Sequence, residues 1–425
     1  MLSANLALYI NPVQLKSEII ILNILFLTHR VPFPPNKGEK IRTYHQLKHL
    51  SELGHTIHLF SPYEDESELE HFNALLESFC AKVESEQLKH KTIRLLKGLA
   101  KGQSLSVANF YDKNLQLKFD HFLSINTVDA ILCSASSMAE YVFKSKTINT
   151  LDKKPLLIMD FMDVDSDKWG QYKQSSSFPM SLVYAREQRL LAQYEKKIVK
   201  QFDVSYLIAE AEVSLFNQKV IKSDKVHVMG NGLDTTTFYP VKVKQQNPAP
   251  VFLFTGVMDY KPNEDAVIWF VKSCWPTIIT KHPNARFVIA GMNPSADINQ
   301  LTNDKGIEVT GFVDDILPYY QQADIFVAPF RLARGVQNKV LQAFACALPV
   351  ISTPMGAEGI LCEPDRDILI ASTPDEFIQQ ANRLISQPAL AQKIGQSAEQ
   401  KIKQHYSWQS QLQPLDDLLC SQDKQ

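Results

Sequence analysis

The chain has 425 residues, 45% of them apolar, with 44 Lys and Arg against 46 Asp and Glu. That length suits two domains of roughly 200 residues rather than one. The net charge of −2 excludes bulk electrostatic binding of nucleic acid, and no apolar run reaches the length of a membrane-spanning helix.

Residues 1–21 read as an N-terminal extension. Met1–Glu18 lack a basic leader and a clean apolar segment, so a loose extension or an early start is expected rather than a signal peptide. Asn23–Thr28 (NILFLT) is a continuous apolar run of strand length. A Pro-rich loop, Val31–Gly38, follows it. Ile41, Tyr44, Leu47, Leu50 and Leu53 then recur at helical spacing, Gly54 ends the helix, and Thr56–Phe60 is the next strand. This β-loop-α-β unit opens a Rossmann-like sheet. Further strands are predicted at Ala130–Cys133, Leu156–Asp160, Val204–Ile208 and Val226–Met229, with a long helix over Leu182–Phe202.

The polar, Gln-rich stretch Val241–Pro250 reads as a surface loop near a domain boundary. The pattern then restarts, with strands predicted at Val251–Thr255, Phe287–Ala290, Glu308–Thr310, Ile325–Ala328, Val350–Ser352 and Ile368–Ile370. The fold class is therefore α/β, with two Rossmann-like domains at 22–229 and 230–404, expected to face a central cleft. Trp408, Leu412, Leu415, Leu418 and Leu419 predict a last helix within 405–425 that returns to the N-terminal domain. The six cysteines (80, 133, 274, 346, 362 and 420) are scattered without a CxxC pair. They read as reduced thiols of a cytoplasmic protein.

Ligands in such sheets bind beyond the carboxyl ends of the strands. Two segments there carry charge. In Thr255-Gly256-Val257-Met258-Asp259-Tyr260-Lys261-Pro262-Asn263, Gly256 admits a phosphate close to the backbone and Lys261 can neutralise it. A plain β-α turn with an exposed lysine is the other reading. In Ala328–Lys339, Arg331, Arg334 and Lys339 gather around Gly335, Val336, Gln337 and Asn338 at the start of a helix running to about Cys346. Free amides and the positive dipole end suit a pyrophosphate there; the alternative is a solvated basic turn.

These residues carry a resemblance. Gly335 through Gln342-Ala343-Phe344-Ala345 to Pro349-Val350-Ile351 resembles the donor-binding helix of GT4-type glycosyltransferases. Gly230-Asn231-Gly232-Leu233-Asp234 with Phe238 and Pro240 resembles their loop at the domain junction. The strings Thr28–Pro32, Lys37–Arg42, Met159-Asp160, Asp163–Ser166, Lys168-Trp169 and Arg334–Leu341 are similar to the subgroup of sugar transferases associated with exosortase (PEP-CTERM) exopolysaccharide systems.

The resemblance implies a GT-B fold, a retaining hexosyltransferase-type reaction without a metal, and no cofactor beyond the nucleotide-sugar substrate. The donor is expected on the C-terminal domain and a glycan or lipid-linked acceptor on the N-terminal one. It implies catalytic roles for Arg334, Lys339 and Asp163, the last with a helix-capping alternative. Donor contacts are implied for Gly256, Lys261, Gly335, Val336, Gln337, Asn338 and Gln342. Lys37, Gly38 and Arg42 would form an acceptor-side loop, and Asn231 and Gly232 a hinge. Three positions depart from the family. Arg334 and Gln342 stand where most relatives have two glutamates, and Val257 stands where many have a phosphate-binding arginine, a role open to Arg331 or Arg334. Gln342 is expected to meet the ribose hydroxyls more weakly than glutamate would. A sugar-nucleotide epimerase and a non-catalytic nucleotide-sugar-binding subunit are the alternatives.

One segment bears on location. Lys91, Arg94, Lys97 and Lys101 share one helical stripe, while Ile93, Leu96 and Ala100 share another. Such a helix either rests on the cytoplasmic face of a membrane or, as the simpler expectation, buries its apolar side in the core. The acidic residues Glu64, Asp65, Glu66, Glu68 and Glu70 read as a solvated helix start.

Overall fold

The computed structural model describes residues 21–36, 38–174, 176–241, 249–332 and 336–421. Lys37, Arg334, Gly335, most of the N-terminal extension and most of the Gln-rich loop lie outside the described residues. The chain divides into two compact units. One comprises the chain up to Gly230 with the tail from Pro414; the other is Asn231–Gln413.

The first unit is built on a seven-stranded parallel sheet. Its strands are β1 (Asn23–Thr28), β2 (Thr56–Tyr63), β3 (Lys82–Gln87), β4 (Ala130–Ser134), β5 (Leu156–Met162), β6 (Val204–Leu207) and β7 (Val226–Val228), in the order β3-β2-β1-β4-β5-β6-β7. The second unit holds β8 (Val251–Thr255), β9 (Arg286–Ala290), β10 (Ile307–Gly311), β11 (Ile325–Ala328), β12 (Val350–Ser352) and β13 (Leu369–Ile370), in the order β10-β9-β8-β11-β12-β13. All pairs are parallel. Parallel central strands are covered on both faces, so they read as unbroken apolar runs. For that reason β1, β8, β11 and β12 have the bounds that their sequences predict.

The strand missing from the sequence reading is β3, KVESEQ. It pairs only with β2 at the sheet edge, and every residue in it is half-buried. Charges blunt this edge: Lys82 and Lys118 sit 3.0 and 3.5 Å from Glu84, and Lys118 is 2.9 Å from Glu86.

One polar cluster ties the first unit together. Arg42, on the helix Gly38–Glu52, is 1% exposed, and Asp160, in β5, is 0% exposed. The guanidinium grips the carboxylate with two bonds, Nε–Oδ2 at 2.7 Å and Nη2–Oδ1 at 3.0 Å. It also donates to the carbonyl oxygens of Met229 (2.7 Å) and Gly230 (2.8 Å), while Gln46 donates to Asp160 at 2.7 Å. The expectation that Arg42 belongs to an acceptor-side loop is therefore corrected. Its side chain is sealed in the interior, where it holds the chain at the point where the first unit ends.

The last helix, Trp408–Ser421, buries Leu412, Leu415 and Leu419. Its part from Pro414 belongs to the first unit: Tyr206 donates to the Pro414 carbonyl at 3.0 Å, and His49 lies 2.8 Å from Asp416. A second correction concerns the helix Lys91–Ala100. Gly98 is its one buried residue, while Ile93, Leu96 and Leu99 are exposed, so the apolar side does not enter the core.

Removing the charge of Asp160 while Arg42 stays buried leaves an uncompensated cation, which costs about 3–5 kcal/mol. Asp160→Asn is expected to lower the unfolding free energy by about that amount in urea titrations. A loss below about 1 kcal/mol would show that the pair contributes little.

Candidate functional site

In the second unit the chain leaves β8 for β9 and β10 on one side, then returns to β11 on the other. The switch point lies between β8 and β11, where a crevice opens at the carboxyl ends of an α/β sheet. Two segments meet there: residues 256–263 after β8, and the start of the helix Asn338–Ala345 that follows β11.

Lys339 joins them. Its Nζ lies 2.5 Å from Asn263 Oδ1, and a Cβ built on Gly256 would stand 2.9 Å from that Nζ and 2.7 Å from Asn263 Nδ2. Gly256 has φ +156, which strains any residue carrying a Cβ, and the crowding side chains add to that constraint. Asn263 is 4% exposed and donates to the Val257 carbonyl at 2.8 Å, fixing the turn. The ammonium lies 4.9 Å from the ring centre of Phe254 and 5.0 Å from that of Phe330. Among the described residues no carboxylate pairs with it. Burial pushes it down to about 7 from 10.5. The helix it opens has Gln337 as its N-cap, with no side-chain cap bond, so the first-turn amides and dipole add positive potential at the same place.

Other predicted residues are placed differently. Lys261 is exposed and pairs with Glu264 at 3.0 Å. Arg331 is clasped by Asp265, at 2.5 and 3.1 Å, which removes it as a free replacement for the arginine absent at Val257. Val336 is exposed and Asn338 heads the helix. Gln342 is half-buried, and its Oε1 lies 2.9 Å from the hydroxyl of Tyr320. That hydroxyl also lies 2.6 Å from Thr255 Oγ1. The single carbonyl oxygen of Gln342 is thus engaged within the protein. Gly232 packs on Trp408, whose Cα would stand 2.5 Å from an added Cβ, so this glycine is required by packing.

In the first unit the switch point lies between β1 and β4. His29 follows β1, its Nδ1 3.2 Å from the Ser134 carbonyl and its ring edge-on to Phe110. Burial pushes its pKa down to about 4, so the imidazole is neutral at physiological pH. A cavity of about 340 Å³ is lined by His29, Arg30, Lys40, Glu64, Asp65 and Glu68 among others. The acidic stretch read as a solvated helix start therefore forms one of its walls. Gly38 opens its helix with nothing within 4 Å of an added Cβ. Asp163 follows β5 and pairs with Lys168 at 2.7 Å. It does not cap the helix Asp165–Gln174. Glu195 does so, accepting from the Ser166 amide at 3.0 Å and its hydroxyl at 2.5 Å.

Sequence reasoning missed Asn263, Tyr320 and His29 as site residues. Asn263 and His29 stood inside the quoted strings, but their partners come from other segments. Tyr320, on the short helix Leu317–Gln322, had no sequence signal.

Comparisons with known proteins bear on the fold and on the family that the second unit resembles. Residues 249–387 match the family model for glycosyl transferases group 1. The chain is 23% identical over 365 residues to an uncharacterized 44.6 kDa protein in the cps region of Klebsiella pneumoniae, covering 82% of this chain and 87% of that one. It is 24% identical over 235 residues to the gpi3 subunit of phosphatidylinositol N-acetylglucosaminyltransferase from Schizosaccharomyces pombe, spanning half the length of that protein. Among solved structures, HepE of Anabaena in complex with UDP aligns over 94% of this chain and 100% of its own, with TM-score 0.59 and 14% identity. Sucrose-phosphate synthase of Thermosynechococcus elongatus aligns over 95% of this chain and 99% of its own, with TM-score 0.55 and 14% identity. The chain thus has the GT-B fold, and its residues 249–387 are similar to glycosyl transferases group 1.

Proposed function

We propose that this protein is a retaining glycosyltransferase that takes a nucleotide-diphosphate sugar on its second unit and transfers the sugar to a glycan or lipid-linked acceptor on its first. The observation that carries the proposal is Lys339, a half-buried ammonium held by Asn263 in the first turn of a helix, with no carboxylate paired to it among the described residues. A half-buried cation without a counter-charge costs stability, and a diphosphate supplies that charge. The likeness to a protein crystallised with UDP supports a nucleoside diphosphate, and the likeness to a cps-region protein supports polysaccharide synthesis. The narrower assignment to the exosortase-associated subgroup rests on the sequence strings alone.

The bond from the anomeric carbon to the diphosphate oxygen breaks as the bond to the acceptor hydroxyl forms on the same face. The departing phosphate takes the acceptor proton. Stabilising the negative charge on that phosphate is the main catalytic task. We assign it to Lys339, the first-turn amides and Arg334, with no role for a metal or cofactor. Gln342 turns its amide nitrogen to the ribose, because Tyr320 engages its carbonyl. Asp163 and the His29 cavity are assigned to the acceptor side.

Lys339→Met is expected to lower turnover by roughly a hundredfold or more, on the scale of removing one charge-stabilising donor, and to raise Tm. The folded pKa lies below the unfolded one. The cost of burying the charge therefore grows as pH falls from 10.5 to about 7 and is constant below. Arg334→Ala is expected to lower turnover without the gain in Tm. Unchanged rates in both variants, measured with any donor that shifts Tm, would remove the assignment.

Diphosphate binding raises the Lys339 pKa, so above about pH 7 it must take up a proton. UDP affinity is expected to fall as pH rises from 7 to 9. Calorimetry in buffers of different ionisation enthalpy should register that uptake, and a pH-independent affinity would contradict it. In Gln342→Glu one carboxylate oxygen stays with Tyr320 and the other becomes free to accept from the ribose. Donor binding should tighten about fivefold to tenfold, whereas weaker binding in a thermal-shift titration would show that the ribose lies elsewhere.

A further inference from the structure

The chain is strained where β4 and β5 end. Ala135 has φ +81 and Met162 φ +69, a left-handed backbone that residues with a side chain rarely adopt and that clusters at functional sites. From there a line of polar contacts runs along the carboxyl edge of the first sheet. His29 Nδ1 lies 3.2 Å from the Ser134 carbonyl. A carbonyl only accepts, so Nδ1 carries the proton and Nε2 is left as an acceptor. Ser136 donates to Asp165 at 3.2 Å, and Lys168 reaches Asp163 at 2.7 Å and Asp165 at 3.6 Å. The line thus passes from the end of β1 to the end of β5, two places apart in the sheet, or about 10 Å.

The line ends on aromatic rings. Trp169 follows Lys168 on the helix Asp165–Gln174. Its ring centre lies 5.8 Å from that of Tyr172, edge-on at 77°, and 5.5 Å from that of Tyr184, at 33°. Tyr172 and Tyr184 are 6.0 Å apart. Tyr184 comes from the helix Met180–Gln201, which packs so closely on the first that a Cβ added to Gly170 would stand 2.6 Å from Gln188 Nε2. Two packed helices therefore fix the rings in place, which lowers the cost of ordering them on a ligand. The rings are not core: Trp169 and Tyr184 are half-buried and Tyr172 is 53% exposed. The rim is hydrophilic, with Lys168, Lys173 and Gln174 exposed around them.

We infer that Trp169, Tyr172 and Tyr184 form a saccharide platform, on which an inner sugar of a glycan acceptor stacks while the end of the glycan enters the His29 cavity. The acceptor role rests on the proposed transfer reaction; the binding itself does not. A pyranose carries C–H groups on its faces and hydroxyls around its edge. The electron-rich face of an aromatic ring attracts the partly positive C–H groups. The edge hydroxyls both donate and accept, so they can meet Asp163 and Lys168 together. An apolar partner would strip water from those charges without replacing it, so the rim selects a polyhydroxylated ligand. The span from His29 to the rings exceeds one sugar ring, and the acceptor therefore has at least two sugar units. The reaction extends a glycan whose first sugar a separate transferase must supply.

The test is saturation-transfer NMR on the full chain, without donor, using cellotetraose, maltotetraose and N-acetylated chitotetraose as probes. At least one should bind in the millimolar range, with saturation strongest on ring C–H protons. Tyr172→Ala should weaken that binding about threefold to tenfold, and Tyr172→Phe should preserve it. Both variants should keep the wild-type Tm and the wild-type response to UDP. No binding of any probe at about 10 mM, or equal binding by wild type and Tyr172→Ala, would overturn the inference. An intact response to UDP in that case leaves the donor reading standing. Tyr172-dependent saccharide binding without any response to UDP would remove the donor reading alone. If Tyr172→Ala loses Tm, Tyr172→Leu, which keeps apolar bulk without a ring, is read in the same way.

Discussion

The first unit depends on a guanidinium that never meets water. Arg42 spans from the first helix to Asp160 in the middle of the sheet, and from there to the Met229 and Gly230 carbonyls. A buried ion pair contributes little net stability over an apolar substitute, yet it is costly to break. What it adds here is placement. Few side chains other than arginine offer a planar fork able to satisfy a carboxylate and two carbonyls together. The carbonyls it satisfies are those at which the chain leaves the first unit.

Lys339 is handled in the opposite way. Both cations are withdrawn from water, but Arg42 has its carboxylate while Lys339 has an amide oxygen and two aromatic faces. The structure bears a cost at that point, as functional sites commonly do. The surrounding residues make sense only around it. Gly256 has no room for a side chain, Asn263 is buried to hold the ammonium, and Tyr320 orients the next turn of the helix through Gln342. In the second unit the ammonium therefore rests on an amide oxygen, with no carboxylate paired to it among the described residues, while the first unit is built around a satisfied pair.

The same contrast between satisfied and unsatisfied groups separates surface from interior in the helical layer. Glu187 and Glu195 are buried carboxylates whose oxygens are taken by chain ends of neighbouring helices. Burial pushes the Glu195 carboxyl up to about 8, and it serves as a cap. The leucines of the Lys91–Ala100 helix are the reverse, apolar groups for which the fold supplies no cover. A helix so short draws most of its stability from packing, and here the packing runs through a glycine and an arginine rather than through the apolar face.

The sequence by itself located every strand of the two sheets except β3, because strands covered on two faces are continuous apolar runs, as in Asn23–Thr28 and Ile325–Ala328. It also placed Lys339 at a helix start beyond a strand, since local punctuation marks such junctions. It could not reveal β3, whose edge position leaves it half-solvated and charged. It also could not say which charges were already spent. Arg42, Arg331 and Lys261 look as available as Lys339 in one dimension. Only the tertiary structure set Asp160 beside the first and Asp265 beside the second, while Glu264 meets the third within a single helix turn. Whether a cation is free depends on the carboxylates that folding brings to it, and two of those three pairs join separate elements. Orientation was decided in the same way. Periodicity shows that a helix has an apolar side, but only the neighbours that pack against it determine whether that side faces the core or the solvent.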